Sequence, residues 1–142
     1  MFQHEVIYNQ TITILNKLRR DDSATGLDVW YKTILHDAVW YTDSARSAGS
    51  SAVFIGTYIT VLIPFHEEFI PYLEWRNPGN QDNHYTISTG DYVIKGVVTE
   101  DITADNIVKT LQRYGEDVCL VRHHKTNFDR YGATIQLKIQ GV

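Results

Sequence analysis

Over most of the first hundred residues the apolar positions recur with a period of two among β-branched and aromatic residues, the spacing of strands with one buried face. From Glu5 to Leu15 the apolar residues are Val6, Ile7, Tyr8, Ile12, Ile14 and Leu15, with Thr11 and Thr13 between them, and this predicts a first strand. The run LNKLRRDDSATGLD reads as a polar hairpin loop leading to a second strand, Val29 to Leu35. His36-Asp37 reads as a short turn into Ala38 to Tyr41, and TDSARSAGSSA, all small and polar residues, as a mobile loop. Val53 to Phe65 is the next strand, with Gly56 expected to mark a bulge and Pro64 a strand end, since proline cannot donate to a ladder. HEEFIPYLEWRNPGNQDNHY has no period, and its NPGNQDN core is turn chemistry. Strand pattern returns from Tyr85 to Val98, broken at Thr89-Gly90-Asp91.

A single helix is predicted at about residues 103–114. Thr103 can cap its first turn, Ile102 and Ile107 stand at staple positions, and Asp105 is an acid where the helix dipole favours one. Ile107, Val108, Leu111 and Tyr114 share a face, and Gly115 supplies the stop. A strand Asp117 to Val121, a polar turn region HHKTNFDRYG and a closing strand Ala133 to Val142 complete the pattern. The expectation is a mainly β single domain over residues 1–142, an antiparallel β-barrel or sandwich of six or more strands with one packed α-helix. Its long loops are expected at about 16–28, 42–51 and 66–84.

Composition narrows the function classes. The chain has 142 residues, 43% hydrophobic and 21% charged, which suits one soluble globular domain and neither disorder nor a membrane span. Tyr58 to Phe65, the longest apolar run, falls short of the ~20 residues of a transmembrane helix. The start MFQHEVIYNQ lacks a signal peptide's basic and apolar regions, and a lone cysteine, Cys119, builds no disulfide framework, so synthesis and retention in the cytoplasm are expected. A net charge of −4 argues against non-specific nucleic-acid binding. Nine tyrosines and three tryptophans suit interfaces as well as cores.

Candidate chemistry can be tested motif by motif. In GDYVIKGVVTEDITADNI a strand runs through Gly96 into the helix start, as in a phosphate-binding turn, but there is one glycine where several are needed, and Glu100 and Asp101 would repel the anion. The arrangement therefore reads as architecture. His66-Glu67-Glu68 lacks the second histidine of a zinc-protease helix, since position 70 is Ile and Pro71 follows. His123-His124 would point to opposite faces of a strand. Cys119 lies among Val118, Leu120 and Val121 and reads as a buried, inert thiol. No catalytic residues, metal or cofactor are expected; a pocket gathering His and acid side chains is the arrangement that would favour a hydrolase instead. FIPYLEW, residues 69–75, reads either as a cover over an open barrel end or as an anchor patch for another protein. Phe69, Tyr72, Trp75 and Arg76, with Tyr131 in the last turn, are the candidate contact residues.

Taken in order, Trp40 ending a strand, Val61-Leu62-Ile63-Pro64-Phe65, Gly90-Asp91-Tyr92-Val93-Ile94-Lys95-Gly96 and Asp129-Arg130-Tyr131-Gly132 resemble a family of small tailed-phage proteins. These are encoded in the head-to-tail morphogenesis region of prophages of Gram-positive bacteria. The resemblance implies a non-enzymatic virion component, a head–tail connector or head-closure subunit of the neck, made in the host cytoplasm. Its implied partners are copies of itself in a ring and neighbouring portal, adaptor or tail proteins, with no membrane and no sequence-specific nucleic acid, though a ring leaves room for DNA to pass. The late helix and the long segment from His66 to His84 depart from a typical neck barrel. A tail-terminator or capsid-decorating role is the near alternative, and a small intracellular binding module, such as an inhibitor of a host defence protein, is the alternative of another class.

Overall fold

In the computed structural model, which describes residues 7–49 and 52–142, the chain closes an antiparallel barrel. Its strands are β1 (Gln10–Leu18), β2 (Val29–Gly49), β3 (Ala52–Pro64), β4 (Tyr92–Lys95), β5 (Val118–Phe128) and β6 (Thr134–Gly141), in the circular order β1-β2-β3-β6-β5-β4. Between β3 and β4 lies a one-turn helix α1 (Tyr72–Trp75) and a 3-10 turn (Asn80–Asp82); between β4 and β5 lies α2 (Ile107–Tyr114). No helix among the described residues is long and apolar enough to cross a membrane.

The expected barrel with one packed helix is observed, with several local differences. His36-Asp37 makes no turn: β2 runs straight through it, and pairing shifts from Ile12↔Leu35 to Gln10↔Ala38, so one extra residue bulges opposite Thr11. Gly56 marks no bulge, because β2 and β3 keep one register from Val39↔Leu62 to Gly49↔Ala52. The expected loop at 42–51 is strand as far as Gly49, with residues 50 and 51 outside the described residues. The loop expected at 16–28 begins only after Leu18. HHKTNF belongs to β5, which leaves only Asp129 to Ala133 as the turn. Tyr85 to Ser88 form no ladder, although all four are buried. Small or polar composition marked 42–51 and HHKTNF as loops, but cross-strand pairing overrides local preference where a neighbour is aligned; Tyr85 to Ser88, expected as strand, shows the converse, a strand pattern with no ladder to join.

Alternation explains the barrel. Ile12 and Ile14, Ile59, Val61 and Ile63, Val93, Cys119 and Val121, and Leu137 and Ile139 form one buried cluster from the inward positions of five strands. The outward positions Leu15 and Ile94 are buried too, because Val98, Ile102 and Ile107 of the α2 connection cover them. The helix begins at Ile107, with Asn106 at its N-cap, rather than near Thr103 as expected; Thr103 closes the turn before it, its Oγ1 accepting from the Asn106 amide at 3.3 Å while Asn106 Oδ1 accepts from the Thr103 amide at 2.8 Å. The turn after β4 is likewise tied to β1. Gly96, at φ 105°, donates its amide to Thr11 O at 2.8 Å, and Thr13 Oγ1 donates to Gly96 O at 2.8 Å while accepting from the Val98 amide at 3.0 Å. These backbone groups are spent on the barrel, which answers the phosphate question in favour of architecture.

Where β3, β5 and β6 converge, an added Cβ at Gly141 would lie 2.0 Å from Leu120 O and 2.7 Å from Cys119 Sγ. Gly141→Ala is therefore expected to lower stability by about 3 kcal/mol or more, since the obstructing atom is backbone, and urea unfolding of the two proteins measures it.

The buried Asp91 joins three segments. Its Oδ1 accepts from the Lys17 amide at 3.1 Å, and its Oδ2 from Asn16 Nδ2 at 2.9 Å and the Ser88 amide at 3.0 Å. Burial pushes its carboxyl up to about 6, against the lowering effect of these donors. A carboxyl raised in the folded state favours folding when protonated, so this contribution is complete below about pH 4 and lost as pH rises through about 6. Asp91→Asn does not titrate. Its destabilisation relative to the natural chain is expected to grow by roughly 2–3 kcal/mol between pH 7 and pH 4, and denaturation at several pH values reads the difference.

Candidate functional site

Pairing, rather than a pocket, sets this barrel apart. β1 follows β2 only to Gln10↔Ala38, and β6 follows β3 only to Gly141↔Ile59. β2 and β3 continue together for seven further pairs, Asp43↔Tyr58 to Gly49↔Ala52. Among the described residues no third strand joins this ribbon, which extends roughly 20 Å at ~3.3 Å per residue. Each of its strands presents an outer row of amide and carbonyl groups, a template for pairing. An isolated two-stranded hairpin is at best marginally stable in water, so such a ribbon gains most from a partner.

A polar trio lies on another side. Asp37, in the β2 bulge, accepts from His66 Nε2 at 2.7 Å, and His66 Nδ1 meets Tyr85 Oη at 2.7 Å. The carboxylate only accepts, which places the proton on Nε2 and leaves Nδ1 to accept from Tyr85 when the ring is neutral. Burial, then the charges of Asp37 and Glu68, raise the Tyr85 hydroxyl well above its ordinary value, so it stays a donor. A neighbouring cavity of about 450 Å³ is lined by His66, Glu68, Asp82 and His84 among others, so histidines and acids do gather there. Thr33 and Lys32 line it as well, and both nitrogens of His66 are engaged by Asp37 and Tyr85. What the trio accomplishes is to clamp both ends of the segment from His66 to Tyr85 onto β2. The backbone closes the same base, with Tyr85 N donating to Glu68 O and Ile70 N to Tyr85 O, each at 3.0 Å. No group of three or more metal-ligating side chains occurs among the described residues.

The candidate contact residues separate into two sets. Trp75 is 0% exposed and Tyr72 nearly buried; with Leu18 they form a cluster, against which Val29, Tyr31 and Ile70 pack. Trp75 Nε1 donates to His84 O at 3.1 Å, and Tyr72 Oη donates to Asp22 Oδ2 at 2.7 Å. Phe69 is half-buried against the barrel core beside Tyr85. FIPYLEW therefore covers a barrel end, and Tyr72 and Trp75 are not an anchor patch; the long loop expected at 66–84 is folded onto its own barrel. Arg76 is exposed, 3.3 Å from Asp22, and Tyr131 is 82% exposed. Cys119 is buried, its thiol pushed up to about 12 by desolvation. His123 and His124 lie exposed on β5. The trio was not legible in the sequence because its members are 29 and 19 residues apart. Nor was the ribbon, since the run TDSARSAGSSA has little strand propensity of its own.

Trp75→Ala is expected to cost about 3–5 kcal/mol of stability rather than to weaken contacts selectively, by the cavity it leaves in a closed cluster. A denaturation curve checks this, with a Leu73→Ala control at an exposed position of the same helix.

The fold thus defines a small closed antiparallel barrel carrying an extended two-stranded ribbon. Residues 7–142 match the family described as "Family of unknown function (DUF6751)", and the chain belongs to that family. No curated protein and no solved structure matches it.

Proposed function

We propose that this protein is a structural subunit of a tailed phage or prophage particle, a head–tail connector or head-closure protein that works by ring assembly. The observation that carries this reading is the β2–β3 ribbon, a pair of strands with open edges reaching out of a rigid barrel. A ring subunit needs a body that keeps its shape and an extension that engages a neighbour, and the ribbon is the longest run of open edge along β1 to β3 among the described residues. The phage resemblance of IPF, GDYVIKG and DRYG supplies the setting, a virion in a bacterial host. Portal, adaptor or tail proteins are the partners above and below the ring.

Two measurements test it. Quantitative mass spectrometry of purified particles is expected to find a ring-sized copy number against the major capsid protein; hundreds of copies would favour a decorating or tail role, and absence would favour an intracellular binding module. A chain with residues 43–58 replaced by a short turn is expected to fold as a monomer yet fail to join heads to tails, and normal infectivity of that variant would remove the ribbon from the mechanism.

A further inference from the structure

The β5–β6 hairpin ends in a turn built to display side chains. Asp129 Oδ1 accepts from the amides of Tyr131 at 2.8 Å and Ala133 at 3.0 Å, which holds the turn and spends its one carboxylate internally. Phe128 and Tyr131 stand 60% and 82% exposed, and the Arg130 guanidinium lies 5.1 Å from the Tyr131 ring centroid. Lys125 sits directly across from Lys138, a like-charge cross-strand pair that disfavours the isolated hairpin, and among the described residues neither these lysines nor Arg130 is in an ion pair. In a chain of net charge −4, this cationic, aromatic tip is balanced by acid elsewhere.

Beside α2 runs a groove of about 790 Å³, floored by Tyr92, Leu111, Val118 and Leu120. At its rim stands Glu116, followed by Asp117, both exposed and, among the described residues, outside any ion pair. Apolar floor and acidic rim complement the apolar, basic tip. One copy cannot satisfy both: Val118 in the groove and Phe128 at the tip lie on the same strand, ten residues or roughly 33 Å apart.

We infer that the β5–β6 tip of one copy docks in the α2–β4 groove of the next copy, a heterologous contact that repeats around a ring. Tyr131 and Phe128 fill the groove, and Arg130 and Lys125 meet Glu116 and Asp117. Such contacts close into rings when their rotation closes and grow as filaments when it does not. This inference rests on the ring reading above and names the surfaces that reading leaves open.

The test is photo-crosslinking of the purified full chain with p-benzoylphenylalanine in place of the exposed Tyr131. Crosslinks between copies are expected within residues 111–120. The double change Lys125→Glu, Arg130→Glu is expected to reduce their yield about tenfold, and Glu116→Lys with Asp117→Lys in the partner copy to restore it. Circular dichroism establishes that each variant is folded. No crosslink between folded copies, crosslinks confined to another surface, or preferential crosslinking to added duplex DNA would overturn the inference, the last by making the basic hairpin a nucleic-acid surface. Repeating the experiment in particles separates the two readings. A ring-sized copy number without the tip–groove crosslink removes only this contact, whereas a crosslink between copies of the purified chain, with the chain itself absent from particles, removes only the virion role.

Discussion

The junction at Asp91 is the constraint on which the rest of the architecture depends. A carboxylate placed 2% exposed inside a protein is tolerated only when donors converge on it, and here they come from β1 through Asn16 and Lys17 and from the approach to β4 through Ser88. Asn16 also serves Thr86, accepting from its amide with Oδ1 and donating to its carbonyl with Nδ2. Side chains thereby supply the hydrogen bonds that a ladder would have given to a buried stretch outside any sheet. The segment that enters β4 is thus held at the barrel's edge in one register, and β4 is the strand that closes the barrel between β1 and β5.

That closure has two consequences. It gives the barrel an inner surface filled by alternate residues of the strands, and it leaves one end to be stopped by the segment from His66 to Tyr85, with Trp75 and Tyr72 over Leu18. The Asp37–His66–Tyr85 chain fixes the two ends of that segment. It also means that open strand edges survive only where the strands outrun the barrel. In β5 the edge beyond β4 carries Arg122, His123, His124 and Lys125 and two register shifts, the usual means of blunting an edge, whereas the β2–β3 ribbon keeps an uninterrupted register.

Much of the fold follows from one-dimensional pattern. Period-two alternation in ITIL, YITVLI and TIQLKI placed β1, β3 and β6, and the stripe Ile107, Leu111 and Tyr114 with the stop at Gly115 placed the helix, because these signals act between residues a few positions apart. Pro64 ends β3 for a reason internal to proline. The single glycine between β4 and α2, with acids after it, was enough to read that turn as architecture.

What the tertiary structure alone decided was the fate of stretches whose local preference was weak. TDSARSAG is strand to Gly49 because β3 lies aligned beside it, and HHKTNF is strand because β6 does, although neither has a strong propensity of its own. Whether FIPYLEW would be a patch or a plug depended on an open barrel end lying beneath it, which no local spacing can report. The pairing of Asp91 with Asn16 across 75 positions, and of His66 with Asp37 and Tyr85, likewise exists only once the barrel has closed. Sequence by itself determined which residues could alternate and where a helix would end, because those depend on neighbours in the chain; the closed order of strands, the buried polar partners and the extended ribbon depend on neighbours in space.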